Sequence, residues 1–383
     1  MTKLTWLRKN LFSSWYNSLL TVVCLGLLFW MVWGLLNWAI TQAQWTVIWV
    51  NLRLFLVGRF PQTLYWRVWI VVAIASTFSA ITVSVFFGKQ QLTKPLVVGY
   101  ALISGFLLVI LPWDLTSRLW LLLIAVLLLA GFWLGSRFDQ IIAPWLSLAW
   151  LLSFPVILWL LGGGFGLQPV STNLWNGLLL TLLMASVSIV LSFPIGVLLA
   201  LGRTSYLPVV RWFCIFYIEI VRGLPLIGIL FLAQVMLPLF LPTELRLDRL
   251  LRGVAGLVLF SAAYMAENVR GGLQAIPRGQ VEAAKALGLN TPLVVILIIL
   301  PQALRAVIPA IVGQFIGLFK DTSLLSLVGL VELTGISRSI LAQPQFLGRY
   351  AEVYLFIGLI YWIFCYLMSL ASRRLEKQLN ISQ

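Results

Sequence analysis

The chain has 383 residues, 61% of them hydrophobic and 10% charged, with a mean hydropathy of +1.03, which excludes a soluble globule with a wetted surface. Its formal charge of +15 comes from 26 Lys and Arg against 11 Asp and Glu, but the cations sit between apolar blocks and no basic run alternates with aromatics in a polar segment, so no nucleic acid partner is expected. Histidine is absent from the sequence; that removes the side chain most used for proton transfer near neutrality and the commonest transition-metal ligand, and neither a catalytic centre nor a metal or cofactor site is expected in this chain.

Apolar blocks of membrane-crossing length occur at 19–40, 68–87, 96–111, 119–135 and 141–161, then at 174–201, 207–241, 253–268, 292–316 and 350–371. They predict an all-α membrane protein of about ten transmembrane helices. The first block has no small-residue cleavage site behind it and is expected to be retained. With both termini cytoplasmic, most Lys and Arg fall on the cytoplasmic side. Arg53, Arg59 and Arg67 are exceptions in the first external loop, with no acid near them in sequence. An interfacial helix with Trp45, Trp49, Trp66 and Trp69 at headgroup depth is an alternative for that loop. Gly131 and Gly135 make a GxxxG spacing, which by itself decides nothing in so apolar a chain. Cys24, Cys214 and Cys365 lie inside apolar blocks and read as small packing residues.

The clearest composition break is Gly162, Gly163, Gly164 and Gly166, followed by Pro169 and the polar run 171–173. It divides a front extension, 1–165, from a back half, 166–383. The front is Trp- and Leu-rich and reads as scaffold; the back holds charged motifs within or beside spans and reads as machinery. No internal repeat of the secondary-transporter kind is visible. Gly223 and Pro225 interrupt a block too long for one straight crossing, so a kink or break is expected there. A broken helix offers free backbone groups to a polar substrate.

Glu219 and Arg222 are three residues apart, as are Glu267 and Arg270, which on a helix puts each pair on one face, able to neutralise itself. Two readings stay open: groups beside a transport path, or salt bridges that position the inner helix ends. Lys320, Asp321, Thr322 and Ser323 place two opposite charges and two hydroxyls after the span expected to end near 316. They match the ammonium and carboxylate of an amino acid, or form a self-satisfied turn.

Between two back-half spans lies Glu282-Ala283-Ala284-Lys285-Ala286-Leu287-Gly288. The alanines favour a short helix whose backbone another protein can approach closely, Glu282 is placed near its start, and Gly288 suits a left-handed cap; a surface helix in an ordinary cytoplasmic loop fits the same residues. With Ile298 and Leu300-Pro301 further on, every fixed position of the EAA loop of ABC importer permeases is matched, and the segment resembles that loop. Tyr217, Glu219, Arg222, Gly223 and Pro225, then 266–272 and 320–325, resemble the polar amino acid permeases of the histidine, glutamine, glutamate and arginine importers over 173–376. The extension resembles that of the larger permeases of general L-amino acid importers.

The resemblance implies a type I importer core of about five helices in the C-terminal half, with the coupling loop at about 271–291. It implies a bacterial inner (plasma) membrane location, ATP-binding cassette subunits that hold ATP and Mg, a second permease chain, an extracytoplasmic amino acid-binding protein and a polar L-amino acid substrate; membrane lipid surrounds the whole. The only Gly-Lys pair, Gly88-Lys89, lacks a P-loop's upstream glycine, so ATP hydrolysis is expected to need a separate subunit. A stand-alone secondary transporter or channel is the competing reading; it needs coupling carboxylates deep in spans, and Glu219, Glu267 and Asp321 read as lying nearer the ends.

Overall fold

The structure, a computed structural model, describes residues 7, 9–87, 114–242 and 247–378; the block expected at 96–111 lies outside them. The front half contains α1 (Trp15–Thr41), α2 (Thr46–Val57), α3 (Tyr65–Phe87), α4 (Leu115–Arg137) and α5 (Asp139–Gly162). The back half contains α6 (Gly177–Arg203), α7 (Pro208–Gly223), α8 (Leu226–Phe240), α9 (Arg249–Gln274) and α10 (Arg278–Ala286). It continues with α11 (Thr291–Ala306), α12 (Ile308–Asp321, extended by a 3-10 turn to Val328), α13 (Leu333–Leu341) and α14 (Tyr350–Gln378). Among the described residues eight helices are long and apolar enough to cross a membrane, nine when α7 and α8 count as one bent crossing. Helix suits such runs of about 20 apolar residues, because in lipid a single segment satisfies its own backbone hydrogen bonds only as a helix.

Five crossings make the back half: α6, the bent α7 and α8, α9, α12 and α14. The chain breaks between Gly223 and Leu226, with Pro225 extended ahead of α8 and the two helices bent by 106°. The expected single span at 292–316 is instead two helices, α11 and α12, separated at Val307. Pro309 fits the division: it has no N–H to give and sits in the first turn of α12, where none is needed. Pro238 and Pro301 each follow a π-helical turn, 232–236 and 294–299, where the ladder widens ahead of a residue that cannot donate.

Two faces follow from the connections. The Gly177 amide donates to the Val331 carbonyl (3.0 Å), Thr172 donates to Asp248 (2.6 Å) and Arg67 donates to the Gln168 carbonyl (2.8 Å), so the starts of α3, α6 and α9 share a face with 329–332. The far ends of α6 and α9 lie with α10 at the opposite face.

The loop containing Arg53 and Arg59 holds a helix, α2, that packs inward. Val47, Ile48 and Phe55 are buried with Leu333, Ile336, Ile340 and Val353 of α13 and α14. Immediately after it Gly58 (φ +58°) comes so close to Asn176 that a Cβ there would lie 2.9 Å from the Asn176 carbonyl carbon, a position only glycine can fill. In the front half, Gly131 and Gly135 face α3 at the same kind of contact, with Cβ positions 3.0 and 2.9 Å from the Thr77 and Ile81 carbonyl oxygens. Cys214 is buried with Ala200, Ile218 and Met265 as a packing residue should be, whereas Cys24 is exposed on α1 and Cys365 is half-buried.

Candidate functional site: a coupling helix and the charge cluster above it

Helix α10 begins after Pro277 and ends in a tight cap. The Gly288 amide donates to the Lys285 carbonyl (2.9 Å) and the Leu289 amide to the Ala284 carbonyl (3.2 Å), with Gly288 at φ +80°. This is the left-handed stop for which glycine is suited. Ala284 is the buried residue of the helix; Glu282, Ala283 and Lys285 are exposed, and Leu287 at its end is 83% exposed. Glu282 is the fifth of nine helical residues, so it does not complement the start of the helix as its sequence position suggests; Arg278 occupies the first turn. The outcome is a small, polar, protruding helix joined without slack to α9 on one side and α11 on the other.

Directly before α10 the ends of α6, α7 and α9 meet in a charge cluster. Glu267 (side chain 16% exposed) takes Arg270 at 2.8 Å, Arg203 at 2.7 Å and Arg222 at 3.5 Å. The expected Glu267 and Arg270 pair is present; the expected Glu219 and Arg222 pair is not. Glu219 pairs with Arg203 (3.1 Å), while Arg222 turns to Glu267 and lies 5.6 Å above the Tyr264 ring. The reason is that Glu267, shielded and on the central helix, is the stronger acceptor than a 56% exposed Glu219. Arg203 is the cation shared by both acids. Nothing in its local sequence marks it, because its partners lie 16 and 64 residues away.

One carboxylate therefore holds three guanidinium groups from three helices. Glu267→Gln is expected to lower the melting temperature of the assembled protein by several degrees, since it leaves Arg222 and Arg270 on one amide and Arg203 with the exposed Glu219 alone, a cost of about 1–3 kcal/mol. Glu219→Gln, which removes one exposed pair, is expected to shift it by less than half as much. Thermal unfolding followed by intrinsic fluorescence in detergent compares the two; equal shifts would deny Glu267 its central place.

Lys320, Asp321, Thr322 and Ser323 are not beyond the span but within it, across the end of α12 and its 3-10 extension. Lys320 and Ser323 line an open cavity of about 320 Å³ together with Thr334, Tyr354 and Tyr361. Thr322 is fully buried and donates to the Phe319 carbonyl (2.7 Å), and Asp321 is not among the lining residues. Beside the cavity sits Glu332, a residue the sequence reading missed. Its carboxylate caps α13 by accepting from the Thr334 and Gly335 amides (2.8 and 2.9 Å), and Tyr361 donates to it at 3.2 Å. Burial pushes the Glu332 carboxyl up to about 7, against the backbone hydrogen bonds that hold it down.

Fold and site together define a membrane-embedded subunit with a protruding helix wired to its spans. The family model described as the inner membrane component of binding-protein-dependent transport systems matches residues 192–381. The chain is 39% identical to YhdY of Escherichia coli K12, an inner membrane amino-acid ABC transporter permease protein, over 98% of this chain and 93% of that protein. It is 38% identical to BztC of Rhodobacter capsulatus, a glutamate/glutamine/aspartate/asparagine transport system permease protein, again over 98% and 93%. The probable glutamine ABC transporter permease GlnP of Bacillus subtilis is 37% identical over 53% of this chain and 92% of its own. The chain belongs to this family of ABC transporter permeases.

Proposed function

We propose that the chain forms the membrane path of an importer for polar L-amino acids in the bacterial inner membrane, with both termini cytoplasmic. A separate ATP-binding cassette subunit, holding ATP and Mg, seats α10; a second permease chain completes the path; an extracytoplasmic binding protein delivers substrate. The observation that carries this reading is α10 itself: an exposed helix joined by short connections to α9 and α11, with the Glu267 cluster tying α6, α7 and α9 together ahead of it, so that a push on it from outside the membrane would reach the spans. The amino acid substrate is supported by the relatives named above. Acidic and amide amino acids suit the cavity, where Lys320 offers a cation for a carboxylate and Ser323, Thr334 and the two tyrosines offer hydroxyls. The break at Gly223 and Pro225 would let the path open by hinging α8 against α7.

Uptake of labelled glutamate and glutamine into proteoliposomes containing the chain with its ATPase and binding-protein partners tests this. Uptake is expected to require ATP, and Lys320→Met is expected to reduce it about tenfold for glutamate, the loss of one charge-assisted contact. Asp321→Asn at full uptake removes Asp321 from the path. Uptake that persists without ATP and without the ATPase subunit would replace the reading with that of a secondary transporter.

A further inference from the structure

An amino acid brings an ammonium as well as a carboxylate, and the lining of the cavity offers a charge to the carboxylate alone. Lys320 lines it, exposed and without a hydrogen bond or ion pair among the described residues. Asp321, the acid next to it, is not part of the lining. The carboxylate beside the cavity is Glu332. It is fully buried, with its two oxygens on the Thr334 and Gly335 amides, and so cannot touch a solute itself. It reaches the cavity through Tyr361, which lines the wall and donates its proton to Glu332 (3.2 Å).

Several details give this pair a role beyond capping α13. Ser, Thr, Asp and Asn are the residues that helix starts favour, and each can satisfy the amides; the longer Glu also reaches across to α14. A phenol has one proton and two lone pairs, so with the proton given to Glu332 the Tyr361 oxygen keeps acceptor capacity only. Of the two threonines beside it, Thr322 spends its proton on the Phe319 carbonyl (2.7 Å), and Thr334 lines the cavity itself. The geometry is held from two sides. The Tyr361 ring packs on the buried Phe319, centroids 5.4 Å apart, and the Leu333 amide donates to Thr181 of α6 (3.1 Å).

We propose that the Tyr361 oxygen accepts the ammonium of the amino acid and that Glu332 is the positioning residue behind it; the proposal deepens the importer reading above and rests on it. Hydrogen bonds in a chain polarise one another, so a carboxylate shielded from water makes the phenol it accepts from a stronger acceptor in turn. A cation at the open end of that chain gains most, because a buried negative charge lies one hydrogen bond behind the oxygen it meets. The pair reads a group common to all amino acids rather than a side chain. It therefore selects an amino acid over an acid of the same shape that lacks the ammonium.

The test measures labelled glutamine bound directly by the permease complex with its ATPase subunits in nanodiscs, with and without ATP and without the binding protein. The competitor is glutaramic acid, which is glutamine with hydrogen in place of its ammonium. The wild type is expected to prefer glutamine about tenfold, the discrimination of one charge-assisted hydrogen bond. Tyr361→Phe, which keeps the ring against Phe319, is expected to weaken glutamine about tenfold and to leave glutaramic acid unchanged, so that the preference disappears. Glu332→Gln, whose amide oxygen still caps α13 but carries no charge, is expected to fall between the two. If Tyr361→Phe weakens both ligands equally, the ring only fills space and the proposal is wrong. Discrimination that survives in Tyr361→Phe and is lost in Asp321→Asn gives the ammonium to Asp321 and overturns it as well. A wild-type complex that binds neither ligand, yet takes up glutamine with ATP once the binding protein is added, keeps the importer reading and ends this one. Failure of ATP-dependent uptake with every partner present takes down the importer reading itself, and this site with it.

Discussion

Gly288→Asp is expected to cut ATP-dependent uptake and substrate-stimulated ATP hydrolysis at least tenfold while the chain still inserts and melts within a few degrees of the wild type. The separation of the two effects comes from where Gly288 sits. Its backbone is left-handed, φ +80°, but a Cβ at that position would meet nothing within 4 Å. The cost to the fold is therefore the conformational strain alone, about 1 kcal/mol, and Asp bears a left-handed backbone better than most residues. The cost to docking is of another kind. The side chain would stand beside exposed Leu287 on the tip of α10, placing a carboxylate where a partner's surface must close over an apolar contact. A buried and unpaired charge at an interface costs several kcal/mol, enough for a tenfold loss several times over. Gly288→Ala, with the strain and without the charge, is expected to keep more than a third of the uptake. If the Asp variant transports at the wild-type rate, α10 is not the coupling element.

Much of this arrangement was legible in the sequence, for identifiable reasons. Spans were readable because lipid imposes a length and a polarity on each of them, and the helix α10 with its glycine stop was readable because its determinants are local. The break at Gly223 and Pro225 stood in the sequence for the same reason. What escaped reading depends on partners far apart along the chain. Glu219 chose Arg203 over its neighbour Arg222, and Glu267 gathered arginines from three helices; helical spacing says only which groups share a face, not which competing partner wins. Glu332 was invisible because a carboxylate ahead of a short helix looks like any N-cap until Tyr361, 29 residues on, is seen to close over it. The division of 292–316 into α11 and α12 at Val307 did have a signal, Pro309, which the continuous hydrophobicity masked.

Removing residues 1–161 is expected to prevent assembly, whereas removing 1–41 is expected to leave it nearly intact. No residue of α1 is buried, so its loss opens no cavity. The rest of the front half is different, because its side chains fill the back half. Phe60, Val68 and Val71 lie in one cluster with Leu180, Met184 and Leu230, and Phe55 meets the Phe356 ring edge-on at 5.0 Å while burying Leu333 and Ile336. Arg67, 2% exposed, ties α3 to the Gln168 carbonyl. Emptying one large buried site costs about 2–5 kcal/mol, and three or four such sites together are comparable to the about 5–15 kcal/mol that holds a typical fold. Relatives of about half the length lack such an extension, so a permease core can stand without one; in this chain, however, Gly58 and Asn176 are pressed together at a seam that makes sense only with α2 in place. Size-exclusion chromatography of the co-expressed complex decides the matter. Recovery of the 162–383 fragment with its partners in wild-type yield would mean that α2 and α3 only lean on the core.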